Sequence, residues 1–485
     1  MSKQVNRYLQ VEPWTVTEKG FHPDSAEVSE SVFSVGNEFM GVRGFFEEGY
    51  SGDSLIGSYF NGVFDERPLV YPNLLKGFPE RTHFMVNSVN WLHTRIGAAG
   101  ETLDLATAEF SEFERQLDLR AGTLTRSFVW QVQGAGRVRV RFSRFLSMGE
   151  TRVGLQRIEL DPVDFTGQVN VVLGLDFSPP HRAEGECLWQ GRRKAKRGET
   201  CAILGQTSQS GQKVCSALRY RSSISPERVR DLTEDADDPR FAGLALDFDL
   251  QPGRGVVIDR VAANQVEKRR DVAADQFWDR ALAEAEALLE ADLDAELDRN
   301  RAYWAEFWDR FDIAIDGDPA NEQGTRFCMF QMHSTYHGVD PALNIGAKGL
   351  TGETYGGLAF WDTEAYCLPF YLFTDPAAAK NLLRFRYHTL PQAKERAREL
   401  GCEGARDPMT TIDGTEACGV WHHGDLEIHV PAAVAYGVWH YVTVTGDRAF
   451  LHDCGTEMLI EISRFFASHG SWSSTTGEFG MWGVM

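Results

Sequence analysis

The chain has 485 residues, more than one hydrophobic core ordinarily serves, so two or three domains are expected. Its 70 acidic and 49 basic side chains leave a formal net charge of -21, which disfavours non-specific binding to nucleic acid or an anionic membrane. No apolar run reaches membrane-spanning length, and the start Val5-Asn6-Arg7-Tyr8-Leu9 lacks a signal-peptide core, so a soluble cytoplasmic protein is expected.

From Trp14 to about Asp271 the pattern is short and strand-like. Val138, Val140 and Phe142 alternate with Arg137, Arg139, Arg141 and Ser143, the period-2 signature of a half-buried strand. Further strands are predicted at 153–160, 169–177, 202–207 and 242–250, with turns at Gly49-Tyr50-Ser51-Gly52 and Ser178-Pro179-Pro180. Many such strands predict a large antiparallel β-sandwich over 1–270. The basic run from Arg192 to Arg197 lies among turn residues and reads as a solvated hairpin, not a polyanion site.

The pattern changes near Asp271. Residues 276–311 lack Gly and Pro and are dense in Ala, Leu and Glu; Leu282, Leu289, Leu293 and Leu297 form an apolar stripe that Trp304, Phe307, Trp308 and Phe311 continue. One or two helices are expected there, as a linker over 271–320. From 321 to 485 the chain reads as about five helices joined by polar, Gly-rich loops. Helices are predicted around 327–336, 364–373, 377–400, 428–442 and 449–469. Polar residues gather in the loops 349–363 and 404–425, the places where functional side chains on a rigid scaffold are expected. The run from Gly477 to Met485 resembles the middle of a loop, so further sequence, or a companion fragment, is expected to complete the helical layer.

Two stretches carry a family resemblance. Lys348-Gly349-Leu350-Thr351-Gly352-Glu353-Thr354-Tyr355-Gly356-Gly357 continues through Phe360-Trp361-Asp362-Thr363-Glu364. Gly404-Ala405-Arg406-Asp407-Pro408-Met409 is followed by Asp413-Gly414-Thr415-Glu416. With Glu427-Ile428-His429 and the N-terminal run from Ser34 to Gly44, they resemble the inverting disaccharide phosphorylases that act on α-glucosides, which include maltose, trehalose and kojibiose phosphorylases. The resemblance implies a β-sandwich, a helical linker, an (α/α)6 barrel incomplete in this chain, and a small C-terminal sheet absent from it. It also suggests a homodimer.

Inverting cleavage of a glycoside needs one carboxylic acid to protonate the departing oxygen and a nucleophile on the opposite face of the ring. Phosphate is already anionic, so a phosphorylase can dispense with a second carboxylate and must instead hold the anion. The resemblance places Glu416 at the catalytic acid position; the residues add that burial in a Gly-bearing loop near Trp421 would keep a proton available. A surface carboxylate is the alternative, and Glu427, which precedes a helix, is the rival acid. Trp361 and Asp362 resemble the family's glucose-holding pair, an apolar wall beside a hydroxyl acceptor, although Asp362 also sits where a helix cap belongs. Arg406 and His429 are candidate sugar or phosphate contacts, with a scaffold ion pair as the alternative for Arg406. The main phosphate-binding residues are expected beyond Met485, which makes the isolated chain inactive in this reading.

The expected reaction is reversible phosphorolysis of an α-glucoside, giving β-glucose 1-phosphate, with inorganic phosphate as co-substrate. An inverting α-glucoside hydrolase and a non-catalytic carbohydrate-binding protein are the alternatives. Eight scattered cysteines without a CxxC pair, the adjacent His422 and His423, and the lack of an HExxH motif point to neither a metal nor another cofactor. On the acceptor side the chain departs from the family's pattern at Gly357-Leu358-Ala359, Asp407, Cys418-Gly419-Val420 and His422-His423, so the resemblance leaves the acceptor open.

Overall fold

The structure is a computed structural model that describes residues 8–73, 77–182, 184–234 and 237–485. The chain divides into two compact units, Met1–Phe60 with Asn87–Ser334, and Asn61–Val86 with Thr335–Met485.

The first unit is a β-sandwich. Ten antiparallel strands form one sheet in the order Leu9–Glu12, Thr15–Lys19, Glu109–Asp118, Thr123–Val132, Gly136–Leu146, Val153–Pro162, Val256–Glu267, Lys213–Ser222, Thr200–Thr207 and Trp189–Arg197. Five strands form the second: Arg228–Asp231, Phe241–Leu250, Gly167–Asp176, Thr94–Ala98 and Glu101–Thr102. Register follows the sequence alternation. Val138, Val140 and Phe142 sit opposite Pro162, Leu160 and Ile158 and are buried, while Arg137, Arg139 and Arg141 face outward and pair with Asp164, Glu112 and Glu159. The core between the sheets interleaves residues of both, among them Phe128, Trp130, Val140 and Ile158 with Val171, Leu173, Leu246 and Phe248. Each such side chain contributes roughly 1.5–3 kcal/mol of burial.

Charged groups are buried here too. Arg126 donates to both Glu47 and Glu48, Arg144 donates to Glu47, and Arg115 pairs with Glu18, all at or below 5% exposure. Guanidinium groups suit such sites because several donors in a fixed fork can be satisfied together.

The helical stretch predicted at 276–311 is two helices, α1 (Ala274–Leu288) and α2 (Leu293–Phe311). The break falls where Asp292 turns its side chain onto the backbone N–H of Ala295, capping α2. Phe277, Trp278, Ala281 and Leu282 of α1 pack against Phe145, Leu155, Leu204 and Ala217, on the face of the large sheet away from the sandwich core. The indole of Trp308 in α2 donates to the carbonyl of Leu119 (2.8 Å). Both helices lie in the first unit. The basic run at 192–197 is one arm of a solvent-facing hairpin with Thr200–Thr207, as expected, and forms the edge strand of the large sheet; Arg193 and Arg197 pair with Asp275 and Glu286 of α1.

Helix α3 (Pro319–Thr335) closes the first unit, all but its last residue lying there; in the second unit α4 (Leu368–Thr374), α5 (Pro376–His388), α6 (Leu390–Glu399), α7 (Trp421–Leu426), α8 (His429–Thr445) and α9 (Thr456–His469) follow in order. A π turn, Thr363–Cys367, leads into α4. The hairpin Phe64–Pro68 with Arg81–Met85 belongs to this unit, although its alternation reads like any other strand pair of the N-terminal half. No described helix is long and apolar enough to cross a membrane.

Candidate active site

The two polar loops singled out by composition meet. Ala359 and Thr411 exchange backbone hydrogen bonds of 2.8 and 3.1 Å as an antiparallel bridge, so the segment bearing Trp361 and Asp362 runs beside the segment bearing Glu416. Ahead of that bridge, Tyr355, Gly356 and Gly357 all take positive φ, and a Cβ at Gly357 would stand 2.7 Å from the side chain of Met85. Glycine is therefore required at 357 for the chain to turn into the bridge.

Trp361 and Asp362 are half-buried at the start of the π turn. Asp362 occupies the cap position, yet its side chain accepts no capping hydrogen bond, so its carboxylate is not consumed by the helix. The turn is braced from behind. Arg386 of α5 donates to both side-chain oxygens of Glu364 (2.7 and 3.0 Å) and to the backbone carbonyl of Phe360 (3.3 Å), holding residues on both sides of the Trp361–Asp362 pair. Trp361 packs edge-on against His429 at 5.0 Å and tilted against Tyr366 at 5.6 Å.

Glu416 is buried, as expected, and its carboxyl is held by backbone donors. Its oxygens accept from the backbone N–H of Met409 (2.8 Å), Cys418 (3.0 Å) and Thr410 (3.3 Å). The guanidinium groups of Arg406 and Arg396 stand 3.5 and 3.8 Å away. Both oxygens of Glu416 are thus engaged as acceptors.

Arg406 is fully buried and reaches no open surface for a sugar or phosphate contact. It donates to the carbonyls of Asp407 (3.1 Å) and Glu427 (3.0 Å) while facing Glu416, which is the scaffold reading left open by the sequence. Glu427 in turn lies between His423, its hydrogen-bond partner, and His429 Nε2 at 3.8 Å. Contacts therefore run from Glu416 through Arg406 to Glu427, and from there through His429 to Trp361. Trp421 has a different place: its ring stacks on Phe78 at 5.0 Å and on His422 at 4.0 Å. Phe78 lines a groove of about 680 Å3 whose wall includes Arg81, Gln392, Arg396 and Glu416.

Two further side chains lie in these loops or against them. His83 stands between Glu66 (3.6 Å) and Asp413 (3.5 Å), and it holds the Asp413 carboxyl below its ordinary range against the opposing effect of burial. Asp407, noted in the sequence only as a departure, is 3% exposed; burial pushes its carboxyl up to about 6, with Arg386 opposing and Glu364 adding to the rise. Among the described residues no group of three His, Cys, Asp or Glu side chains is gathered as a metal site. All eight cysteines are free thiols.

Comparison with known proteins adds the lineage. The profile "Glycosyl hydrolase family 65, N-terminal domain" matches residues 16–307, and that of the family's central catalytic domain matches residues 326–485. Maltose phosphorylase from Bacillus subtilis is 32% identical over 99% of this chain and 63% of its own length. Alpha,alpha-trehalose phosphorylase from Thermoanaerobacter brockii is 30% identical over 96% of this chain and 61% of its own. A solved structure described as a candidate kojibiose phosphorylase from human microbiome is 37% identical, with a TM-score of 0.91 over 99% of this chain and 62% of its own. The chain thus spans about three-fifths of the length of the relatives it matches. With profile matches running through both loops of the site, the chain belongs to glycosyl hydrolase family 65.

Proposed function

We propose that this chain carries the sugar-holding side of an inverting glycoside phosphorylase, which cleaves an α-glucoside with inorganic phosphate and releases β-glucose 1-phosphate. The observation that carries the reading is the Trp361–Asp362 pair, with an aromatic wall beside a carboxylate free of capping duty, braced by Arg386 and bridged to the Glu416 loop. The relatives that match nearly the whole chain are named as maltose, trehalose and kojibiose phosphorylases, which supports phosphate as the nucleophile. In this reading the organisation is a sandwich at 1–270, a linker at 271–320 and, from 321, helices of an (α/α)6 barrel.

Trp361 takes the apolar face of the transferred glucose, and Asp362 accepts two of its hydroxyls. His429, against the Trp361 ring and beside Glu427, contacts the sugar at that edge. Glu416 is the general acid that protonates the departing oxygen; the same carboxyl faces Arg406, which holds Glu427 through its carbonyl.

The test is sugar release from maltose, trehalose and kojibiose, with and without phosphate, by this chain together with the sequence that completes its barrel. Release that depends on phosphate, with β-glucose 1-phosphate as co-product, is expected. Release without phosphate would instead make the protein a hydrolase, and binding with no turnover would make it a carbohydrate-binding protein. Glu416→Gln separates the two roles of that residue. The acid role predicts loss of turnover and of the alkaline limb of the pH–rate profile, whereas lower stability with a profile of unchanged shape would make Glu416 a positioning residue only.

A further inference from the structure

The hairpin strand Arg81–Met85 holds the Glu416 loop on both sides of that carboxyl. Thr82 Oγ1 donates to the carbonyl of Ala417 (2.7 Å), the residue that follows Glu416. Its neighbour His83 is buried, with Nδ1 3.5 Å from Asp413 Oδ1, just ahead of Glu416. That same oxygen accepts from the backbone N–H of Thr415 (2.9 Å), so the turn into Glu416 is built on the carboxylate that His83 meets. The other ring nitrogen, Nε2, stands 3.6 Å from Glu66, which pairs in turn with Arg81 at 3.2 Å. The imidazole lies stacked on Phe64 with ring centres 4.6 Å apart.

We infer that His83 is a positioning residue that fastens the Glu416 loop when its imidazole is protonated. A neutral imidazole carries one N–H and can donate to Glu66 or to Asp413, whereas the imidazolium carries two and donates to both. Protonation thus completes a chain of alternating charge from Arg81 through Glu66 and His83 to Asp413. Burial pushes the Asp413 carboxyl up, but His83 brings it below its ordinary range, so the acceptor is an anion wherever an imidazole titrates. The groove that His83 lines also carries Glu80, Glu416 and, from α6, Glu395, Arg396 and Glu399; the carboxylates that meet the ring are those of Glu66 and Asp413. The charged hold is present at low pH and is lost as pH rises through the imidazole range, while the Thr82 bond carries no charge and persists. The consequence for catalysis rests on the proposed role of Glu416 as the acid; the hold on the loop does not.

The test is run on this chain together with the sequence that completes its barrel, without substrate, by hydrogen–deuterium exchange of the peptide 409–418. Its N–H groups at Met409, Thr410 and Cys418 are those bound to Glu416. At pH 5.5 His83→Gln should exchange about tenfold faster than the parent, the lower end for a hydrogen bond to a charged group, and at pH 8 the two should agree within about twofold. Asp413→Asn, which keeps an oxygen for Thr415, should match His83→Gln at pH 5.5 and add nothing to it. Thr82→Val should speed exchange by the same factor at both pH values. Equal exchange of parent and His83→Gln at pH 5.5, additive effects of the two charge variants, or a pH-dependent effect of Thr82→Val would overturn the inference. Phosphorolysis then separates the two claims: His83→Gln should lower kcat at pH 5.5 with KM for the disaccharide unchanged. Exchange as expected with kcat untouched, or without any phosphorolysis by the parent, would uphold the hold on the loop and sink Glu416 as the acid.

Discussion

The surroundings of Glu416 are less legible in the sequence than the residue itself. Its chemistry is set by three backbone N–H groups, those of Met409, Thr410 and Cys418, and a backbone donor is the same whatever side chain it carries. Trp361 was more legible because its contribution, a ring at the start of a helical segment, belongs to its own type. Asp407 carries a stability consequence that follows from its burial. Its folded value of about 6 lies above the ordinary 3.8, so the folded chain binds that proton more tightly than the unfolded chain does. Stability from this group is fully present below the unfolded value and is lost as pH rises through about 6, a cost of about 3 kcal/mol at pH 7. Asp407→Asn should therefore raise the urea midpoint at pH 7 and approach the parent's as pH falls toward 4. A gain that is constant across that range would mean the group is not held neutral by its surroundings.

Among the elements, those with a side-chain period were read correctly and those made by backbone geometry were not. The strand at Gly136–Leu146 announced itself by alternation, and α2 by its stripe of Trp304, Phe307 and Trp308. The π turn at Thr363–Cys367 has no compositional mark, since it differs from an α turn only in which carbonyl each N–H finds. Helix α7, with Gly424 inside six residues, carries too little periodicity to detect. The hairpin of the second unit was missed for the opposite reason, because its pattern matches that of the sandwich strands. Gly404 is where backbone geometry decides the site loop. Its φ is +73, and a Cβ there would stand 2.1 Å from the Glu461 carbonyl and 2.5 Å from the Phe465 nitrogen, both backbone atoms of α9. Ala405 N–H donates to the same Glu461 carbonyl at 2.9 Å, so the loop cannot back away without losing that bond. Gly404→Ala should cost about 2–4 kcal/mol, from left-handed strain and overpacking together, with a matching fall in the urea midpoint. A change under about 0.5 kcal/mol, the ordinary surface range, would show that the loop is not pinned at this point.

At the scale of the whole chain, two properties oppose each other. The formal charge of -21 keeps copies apart, while the second unit exposes a cluster of large rings on α4 and α8: Phe373 at 68%, Trp439 at 56% and Tyr436 at 49%. The cluster is continuous, since Tyr436 touches Trp439 at 5.4 Å and His440 at 5.5 Å, and Phe373 meets His440 at 6.1 Å. Contiguous exposed rings favour association, and repulsion between like-charged molecules is what restrains it. That restraint is long-ranged at low ionic strength, with a screening length of about 30 Å at 0.01 M salt, and falls to about 8 Å at 0.15 M. The purified chain should therefore scatter more light as sodium chloride is raised through this range, and Tyr436→Glu with Trp439→Glu should abolish the rise. Neither substitution removes a buried contact, so the urea midpoint should stay within about 0.5 kcal/mol of the parent's. Scattering that ignores salt, or that the double variant leaves unchanged, would mean that charge is not what holds this face apart from its copies.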